Sequence, residues 1–127
     1  MRGGMLSGSR HLRYGAAGLR ITDDPSLRVV VRSTDEVLEL APAGELDVDT
    51  VAMVPELLAS VLEDSHAEVR VDLSEVTFAD TAAVDGLVRC RQVAEERGRR
   101  FVLAKPSRPV RLVLDLLEAD GYFSIER

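Results

Sequence analysis

The sequence predicts a single α/β domain with a mixed, mostly parallel β-sheet covered by helices. The chain has 127 residues, 46% of them apolar, which suffices for one hydrophobic core without disulfides or metals. Apolar residues follow strand and helix spacings in the order β-β-α-β-α-β-α-β. Strands separated by helices imply right-handed crossovers and parallel pairing, whereas the two opening strands form an antiparallel edge.

The beginning of the chain differs in composition from the rest. Residues 1–20 contain four arginines, five glycines and no acidic residue, without helical periodicity. We expect residues 1–25 to form a flexible basic arm and residues 26–127 to form the domain.

The domain opens with two strands, at 27–31 and 37–41, which are rich in β-branched residues and form a hairpin. Pro42 and Gly44 are expected to end the second strand. A first helix follows, in which four apolar residues recur at helical spacing: Val51, Val54, Leu58 and Val61. Because proline lacks an N–H group, this helix begins near Pro55 or is kinked there.

The second half of the domain continues with a strand at 69–73. The second helix carries one apolar stripe, made of Ala83, Leu87, Cys90 and Ala94. An unalternated apolar run at 101–104 is typical of a strand covered on both faces. Ser107 begins a third helix, Gly121 closes it, and a short strand at 122–125 ends the domain.

Charge and cysteine content narrow the possible partners and compartment. The net charge is −6, and without its first twenty residues the chain has a net charge of −10, which repels nucleic acid and favours partners with basic surfaces. Cys90 is the single cysteine and cannot form a disulfide within the chain, so we expect the protein to reside in the reducing cytoplasm. No apolar run approaches the roughly 20 residues of a membrane helix, and no signal peptide is evident. We expect a protein without a membrane span.

An enzyme interpretation rests on four acidic residues that could form a Mg²⁺ site or an acid–base pair: Asp47, Asp49, Asp80 and Asp85. The sequence has no Gly-rich phosphate loop, no G-x-S-x-G motif and no metal-spaced His/Cys set, so we expect neither catalysis nor a cofactor. Lys105 before a proline is similar to the lysine at a strand end of response-regulator receivers, and Asp72 could be taken for the phosphate acceptor of such a domain. Receivers, however, alternate five strands and five helices from the start, whereas this chain begins with two strands and has three helices.

The rest of the domain is arranged around residues 69–88, where a strand leads through a short loop into the second helix. Asp80 and Thr81 lie at the start of that helix. One interpretation is that either side chain caps the free N–H groups of the first turn. The other is that Thr81 is an exposed phosphoryl acceptor. Because strand ends and helix starts gather at one rim of such sheets, the aspartates listed above should cluster around Thr81.

Two segments carry a family resemblance. One is Gly44-Glu45-Leu46-Asp47, and the other is VDLSEVTFADT, which ends at Thr81 before a helix. Together with the element order over about residues 27–125, they resemble the STAS domain family, named for sulfate transporters and anti-sigma factor antagonists. The resemblance implies a STAS-like fold.

The resemblance also implies a function. In bacterial anti-sigma factor antagonists of this family, a partner anti-sigma factor with serine/threonine kinase activity phosphorylates the hydroxyl residue that Thr81 matches, and a PP2C-type phosphatase resets it. The unmodified domain binds the anti-sigma factor and frees the sigma factor. The expected partner-binding residues surround this position: Asp47, Asp49, Asp80, Thr81, Ala82, Ala83, Asp85 and Val88.

An alternative stays open within the same family. Its members commonly read Asp-Ser-Ser-Gly or Asp-Ser-Thr-Gly at this place, whereas this chain has Ala82 and Ala83 in the last two positions. The form Asp-Thr-Ala is also similar to STAS subunits of lipid-transporting ABC complexes, which bind an ATPase subunit. The alternative is therefore a STAS adaptor of an ABC transporter or signalling complex that is never phosphorylated.

Overall fold

A computed structural model describes residues 12–14, 20–22 and 24–127, with side chains from residue 24 onward. The described strands are β1 (Leu12–Tyr14), β2 (Arg20–Thr22), β3 (Leu27–Ser33), β4 (Val37–Leu46), β5 (Glu68–Asp72), β6 (Val76–Ala79), β7 (Arg100–Ala104) and β8 (Ser124–Glu126). The helices are α1 (Met53–Val61), α2 (Thr81–Glu96) and α3 (Arg108–Leu116), followed by a 3₁₀ turn at Asp120–Tyr122.

One mixed sheet contains all the described strands, in the order β1-β2-β3-β4-β5-β7-β8, with β6 also paired to β4. Strands β1 to β4 pair antiparallel, whereas every other pairing is parallel. Helix α2 packs against α1 and β7, and α3 packs against β6. The predicted α/β class with its antiparallel edge is confirmed.

The basic arm falls mainly on residues outside the described part of the chain, and its flexibility stays a prediction. The sequence pattern predicts no strand in this arm. The structure nevertheless places two three-residue strands in it, and β2 pairs with β3 through Arg20 opposite Val31. The antiparallel edge of the sheet is therefore wider than the predicted hairpin.

Strand β4 is longer than predicted, because neither Pro42 nor Gly44 ends it. Pro42 lies between the residues that pair with β5 and those that pair with β6, so no parallel pairing involves it. Gly44 has a φ of 122°, and a Cβ atom there would lie 2.3 Å from the backbone oxygen of Ser26. A glycine bulge with a register shift thus carries the strand on to Leu46.

Helix α1 begins at Met53, two residues after Val51, which is the first apolar residue of the predicted helical spacing. Pro55 occupies its third position and is buried. The N–H groups of the first turn have no partner within a helix, so proline is tolerated there without a kink. The predicted stripe of α2 is confirmed, since all four of its residues are buried.

Leucine and valine dominate the core, which agrees with an aromatic content of only 4%. Burial raises the pKa of the Cys90 thiol to about 12. The thiol therefore stays protonated at neutral pH, as expected of a small core residue and not of a reactive nucleophile.

His66 is buried, although it lies in the loop between α1 and β5. Its Nδ1 accepts a hydrogen bond from the Glu63 N–H (3.0 Å), so the proton of the neutral ring is on Nε2. Nε2 then donates to the Ser33 hydroxyl at 2.7 Å. The ring joins the end of β3 to the loop before β5.

Acidification is expected to destabilise the protein through His66. Burial is the main cause that lowers the pKa of His66 below 6.5, with Arg99 acting in the same direction and Glu63 opposing it. The unfolded chain therefore binds the extra proton first, so this stabilisation is complete above about pH 6.5 and is lost as the pH falls. Thermal unfolding between about pH 7 and about pH 5 should show a steeper pH dependence for the wild type than for His66→Gln. Equal dependences would contradict this role.

Candidate functional site

Thr81 is the first residue of α2, and its side chain is exposed. The cap of the helix is Asp80, whose Oδ1 accepts a hydrogen bond from the Ala82 N–H at 3.0 Å. Within the described part of the chain, the Thr81 hydroxyl makes no hydrogen bond. Asp80 therefore caps α2. The Thr81 oxygen stays accessible and has no hydrogen-bond partner among the described residues.

The ends of β4 and β6 bring two of the predicted aspartates together. Leu46 lies opposite Ala79 in the parallel pairing of these strands. Asp47 and Asp80 are the next residues along each strand, and neighbouring strands are about 4.8 Å apart. This register places Asp47, Asp80 and Thr81, three of the five residues expected to cluster, at the same end of the sheet.

Asp47 also orders the loop that leads to α1. Its Oδ1 accepts hydrogen bonds from the N–H groups of Asp49 (2.9 Å) and Thr50 (3.1 Å). The buried Thr50 hydroxyl donates to the Glu45 carbonyl at 2.7 Å and accepts from the Asp47 N–H at 3.1 Å. Thr50 is not among the predicted site residues, although an Asp-x-x-Thr spacing is a sign of such a turn. Asp49 itself is exposed on this loop.

Helix α2 continues the same surface for two turns. Asp85 and Val88 follow Thr81 at i+4 and i+7, so the three residues share one face of the helix. Asp85 is exposed, Val88 is half-buried against the core, and Ala82 is half-buried beside Thr81.

Ala83 does not belong to this surface. Its exposed fraction is 0%, because it faces the core with Leu87. Its expected contact with a partner is therefore wrong, and the methyl group that replaces the family's usual glycine is accommodated inside the domain.

A glycine in α2 allows the loop after β4 to pack closely against this helix. Gly86 is buried, and a Cβ atom there would lie 2.1 Å from Cγ2 of Val51. The loop 47–52 thus packs directly onto α2, little more than one turn beyond Thr81. This close contact fixes the loop that carries Asp49 relative to the start of α2.

Two large apolar side chains are exposed on the segments that frame Thr81. Phe78 in β6 is 50% exposed, and Val48 in the loop after β4 is 72% exposed. Neither is among the predicted site residues, since neither breaks the sequence pattern of its own segment. Exposed aromatic and aliphatic groups next to a polar rim are typical of protein interfaces. We name the surface formed by Asp47, Val48, Asp49, Phe78, Asp80, Thr81, Ala82, Asp85 and Val88 the Thr81 rim.

The Thr81 rim is acidic. None of its four aspartates forms an ion pair with another described residue. The described residues also contain no group of three or more His, Cys, Asp or Glu side chains suited to hold a metal ion. Asp72, the imagined receiver acceptor, instead orders a turn by accepting from the Ser74 N–H (2.9 Å) and hydroxyl (2.7 Å).

Comparison with known families and structures gives the same fold. The family described as "Mlab, STAS domain" matches residues 29–125. An anti-sigma factor antagonist from Mycobacterium paratuberculosis is 25% identical, with a TM-score of 0.63 over 81% of this chain and 88% of that one. The unphosphorylated form of the antagonist SpoIIAA is 18% identical, with a TM-score of 0.63 over 78% and 88% of the two chains.

A relative of another kind also matches in sequence. The DNA mismatch repair protein MutS of Dinoroseobacter shibae is 36% identical over 99 residues, which are 72% of this chain but 11% of that protein. The chain thus spans about a tenth of that relative's length. Among the helices of the described ranges, none has the length and apolar content needed to cross a membrane.

Proposed function

Since this chain belongs to the STAS domain family, we propose that it is an anti-sigma factor antagonist that docks its partner through the Thr81 rim and releases it when Thr81 is phosphorylated. Anti-sigma factor antagonists of this family are regulatory binding proteins and not enzymes. The observation that carries the proposal is the exposed, uncommitted hydroxyl of Thr81 at the start of α2. The partner would be an anti-sigma factor with serine/threonine kinase activity in the cytoplasm, where ATP and sigma factors are found.

The proposed reaction is a phosphoryl transfer to Thr81. Its hydroxyl oxygen attacks the γ-phosphorus of ATP on the kinase, the bond to the β-phosphate oxygen breaks, and ADP leaves. The hydroxyl proton goes to a base of the kinase. This chain contributes only an accessible acceptor, and a PP2C-type phosphatase hydrolyses the phosphothreonine to restore it.

Charge explains how the modification would act as a switch. The phosphate adds about −1.5 to −2 charges at a rim that already holds four aspartates. In the free domain, the N–H groups and dipole of α2 favour that anion by ~0.3–1 kcal/mol. In an interface the same anion would lose its water and face Asp80 and Asp47. A penalty of about 3 kcal/mol weakens binding roughly a hundredfold.

Phosphorylation with the candidate kinase and ATP tests the acceptor. Wild type and Thr77→Ala should incorporate phosphate, whereas Thr81→Ala should not. Thr77 is a matched control, because it is also an exposed threonine and lies four residues earlier, in β6. Phosphate incorporation that persists in Thr81→Ala would refute Thr81 as the acceptor.

The apolar part of the rim is expected to contribute to affinity. Phe78→Ala should weaken binding of the anti-sigma factor about fivefold, because the substitution removes a half-exposed ring that the partner would bury. Leu116→Ala on α3 is the control, since Leu116 is 71% exposed but lies outside the rim. Titration calorimetry measures both variants. A stronger effect of the Leu116 substitution would place the interface on α3 instead.

A second candidate is a non-phosphorylated STAS adaptor subunit of an ABC transporter or signalling complex. The sequence Asp80-Thr81-Ala82 and the family description that names Mlab favour it. In that case the Thr81 rim would bind an ATPase subunit without accepting phosphate. Absence of incorporation in the wild type, together with capture of an ATPase subunit that Thr81→Glu fails to capture, would support this alternative.

A further inference from the structure

A polar cleft of about 360 Å³ lies between the last turns of α2, the start of β7 and the segment before β8. Its charged lining consists of Arg91, Arg99, Arg100 and Glu95. Tyr122 and Phe123 contribute the aromatic part of its wall. Three arginines thus line one cleft of a domain whose net charge is negative.

Arg91 is held in place before any ligand arrives. Its guanidinium carbon lies 4.1 Å from the centroid of the Tyr122 ring, and its Nε lies 3.0 Å from the Glu95 carboxylate. These two contacts leave the terminal nitrogens of Arg91 without a hydrogen bond to any described residue. A guanidinium fixed in this way loses little freedom when it binds an oxyanion.

The carbonyl oxygen of Arg97 accepts a hydrogen bond from a terminal nitrogen of Arg99. The Nε of Arg99 is buried, and it has no hydrogen-bond partner in the described part of the chain. Its nearest carboxylate oxygen belongs to Asp64, at 3.8 Å from a terminal nitrogen. A buried donor without an acceptor is costly, so an anion that provides one would be favoured.

We propose that this cleft binds a small organic molecule that carries a phosphate monoester. Three arginines and one glutamate give its lining a net charge of +2, which matches the −1.5 to −2 charges of such a group near neutral pH. One guanidinium group can donate two parallel, charge-assisted hydrogen bonds to the oxygens of a phosphate. The Tyr122 ring is 47% exposed and offers an apolar contact for the organic part of the ligand.

The cleft is separate from the Thr81 rim. Arg91 follows Thr81 by ten positions in α2, a distance of about 15 Å along the helix axis. Occupation of one site can therefore be distinguished from occupation of the other by which amide groups respond.

Titration of the full chain with phenyl phosphate and with inorganic phosphate, followed by amide NMR, tests the proposal. Phenyl phosphate should shift the amide signals of residues 99–102 and 121–124 and leave those of residues 80–85 unchanged. It should also bind about fivefold more tightly than inorganic phosphate, because only phenyl phosphate contacts Tyr122. Equal affinities of the two probes, or shifts centred on residues 80–85, would overturn the proposal.

Two matched arginine substitutions test whether the charge of the cleft itself binds the phosphate. Arg100→Gln should weaken phenyl phosphate binding about fivefold, since it removes one of the three positive charges that line the cleft. The Arg100 side chain is 78% exposed and its carboxylate neighbour, Glu68, is 3.6 Å away, so the variant should fold normally. Arg89→Gln makes the same charge change at an exposed position of α2 outside the cleft and should leave the affinity unchanged. Equal losses in both variants would mean non-specific attraction and would refute the site.

Discussion

Replacing Thr81 with glutamate is expected to weaken binding of the anti-sigma factor about tenfold. One carboxylate carries roughly half the charge of a phosphate, so we expect about half of the proposed penalty, or about 1.5 kcal/mol. The new charge would lie beside Asp80 and Asp47 and lose its water when the partner docks. Titration calorimetry with the purified partner measures the change.

The matched control for this variant is Thr81→Gln, which has nearly the same size as Thr81→Glu but no charge. It should change the affinity less than about threefold. Because an acidic group in the first turn of a helix is favourable, Thr81→Glu should also be at least as stable as the wild type. Weak binding therefore cannot be explained by unfolding. If Thr81→Glu binds as tightly as Thr81→Gln, charge is not the switch.

Replacing Gly86 with valine is expected to destabilise the domain by about 2 kcal/mol, which corresponds to about 8 °C in melting temperature. The first added carbon alone would overlap Cγ2 of Val51 at 2.1 Å. The higher helix propensity of other residues recovers at most ~1 kcal/mol of this cost. Gly121→Val is the control, because nothing lies within 4 Å of a Cβ atom built at Gly121.

A second substitution identifies the cause of this loss. In a Val51→Ala background, part of the overlapping side chain is gone, so Gly86→Val should cost clearly less than in the wild type. Thermal or urea unfolding of the four proteins gives the coupling free energy. Costs that are the same in both backgrounds would show that Val51 does not set the limit on size at Gly86.

The sequence was sufficient for the elements whose signals are local. The stripe of α2 and the unalternated run of β7 were correctly assigned, because burial on one face or on both leaves a pattern within a few residues. Strand β6 was missed. It has four residues, and its partner is the far end of β4, more than thirty residues earlier. Short strands stabilised by such distant pairing have no periodicity of their own to detect.

Non-local contacts also explain what was missed at the site. The gathering of Asp47 and Asp80 followed from topology alone, and the exposure of Thr81 agrees with the family resemblance. The burial of Ala83 and the contact between Gly86 and Val51 depend on how α2 is rotated against its neighbours. A single sequence gives that rotation only to within a residue or so, which is enough to move a side chain from the surface into the core.

The most direct test is the affinity of one anti-sigma factor for two forms of the same purified chain, unmodified and phosphorylated at Thr81. An accessible hydroxyl on an acidic rim predicts that the phosphorylated form binds about a hundredfold more weakly, with its fold unchanged by circular dichroism. Affinities that agree within about twofold would show that the phosphate does not control docking at this surface.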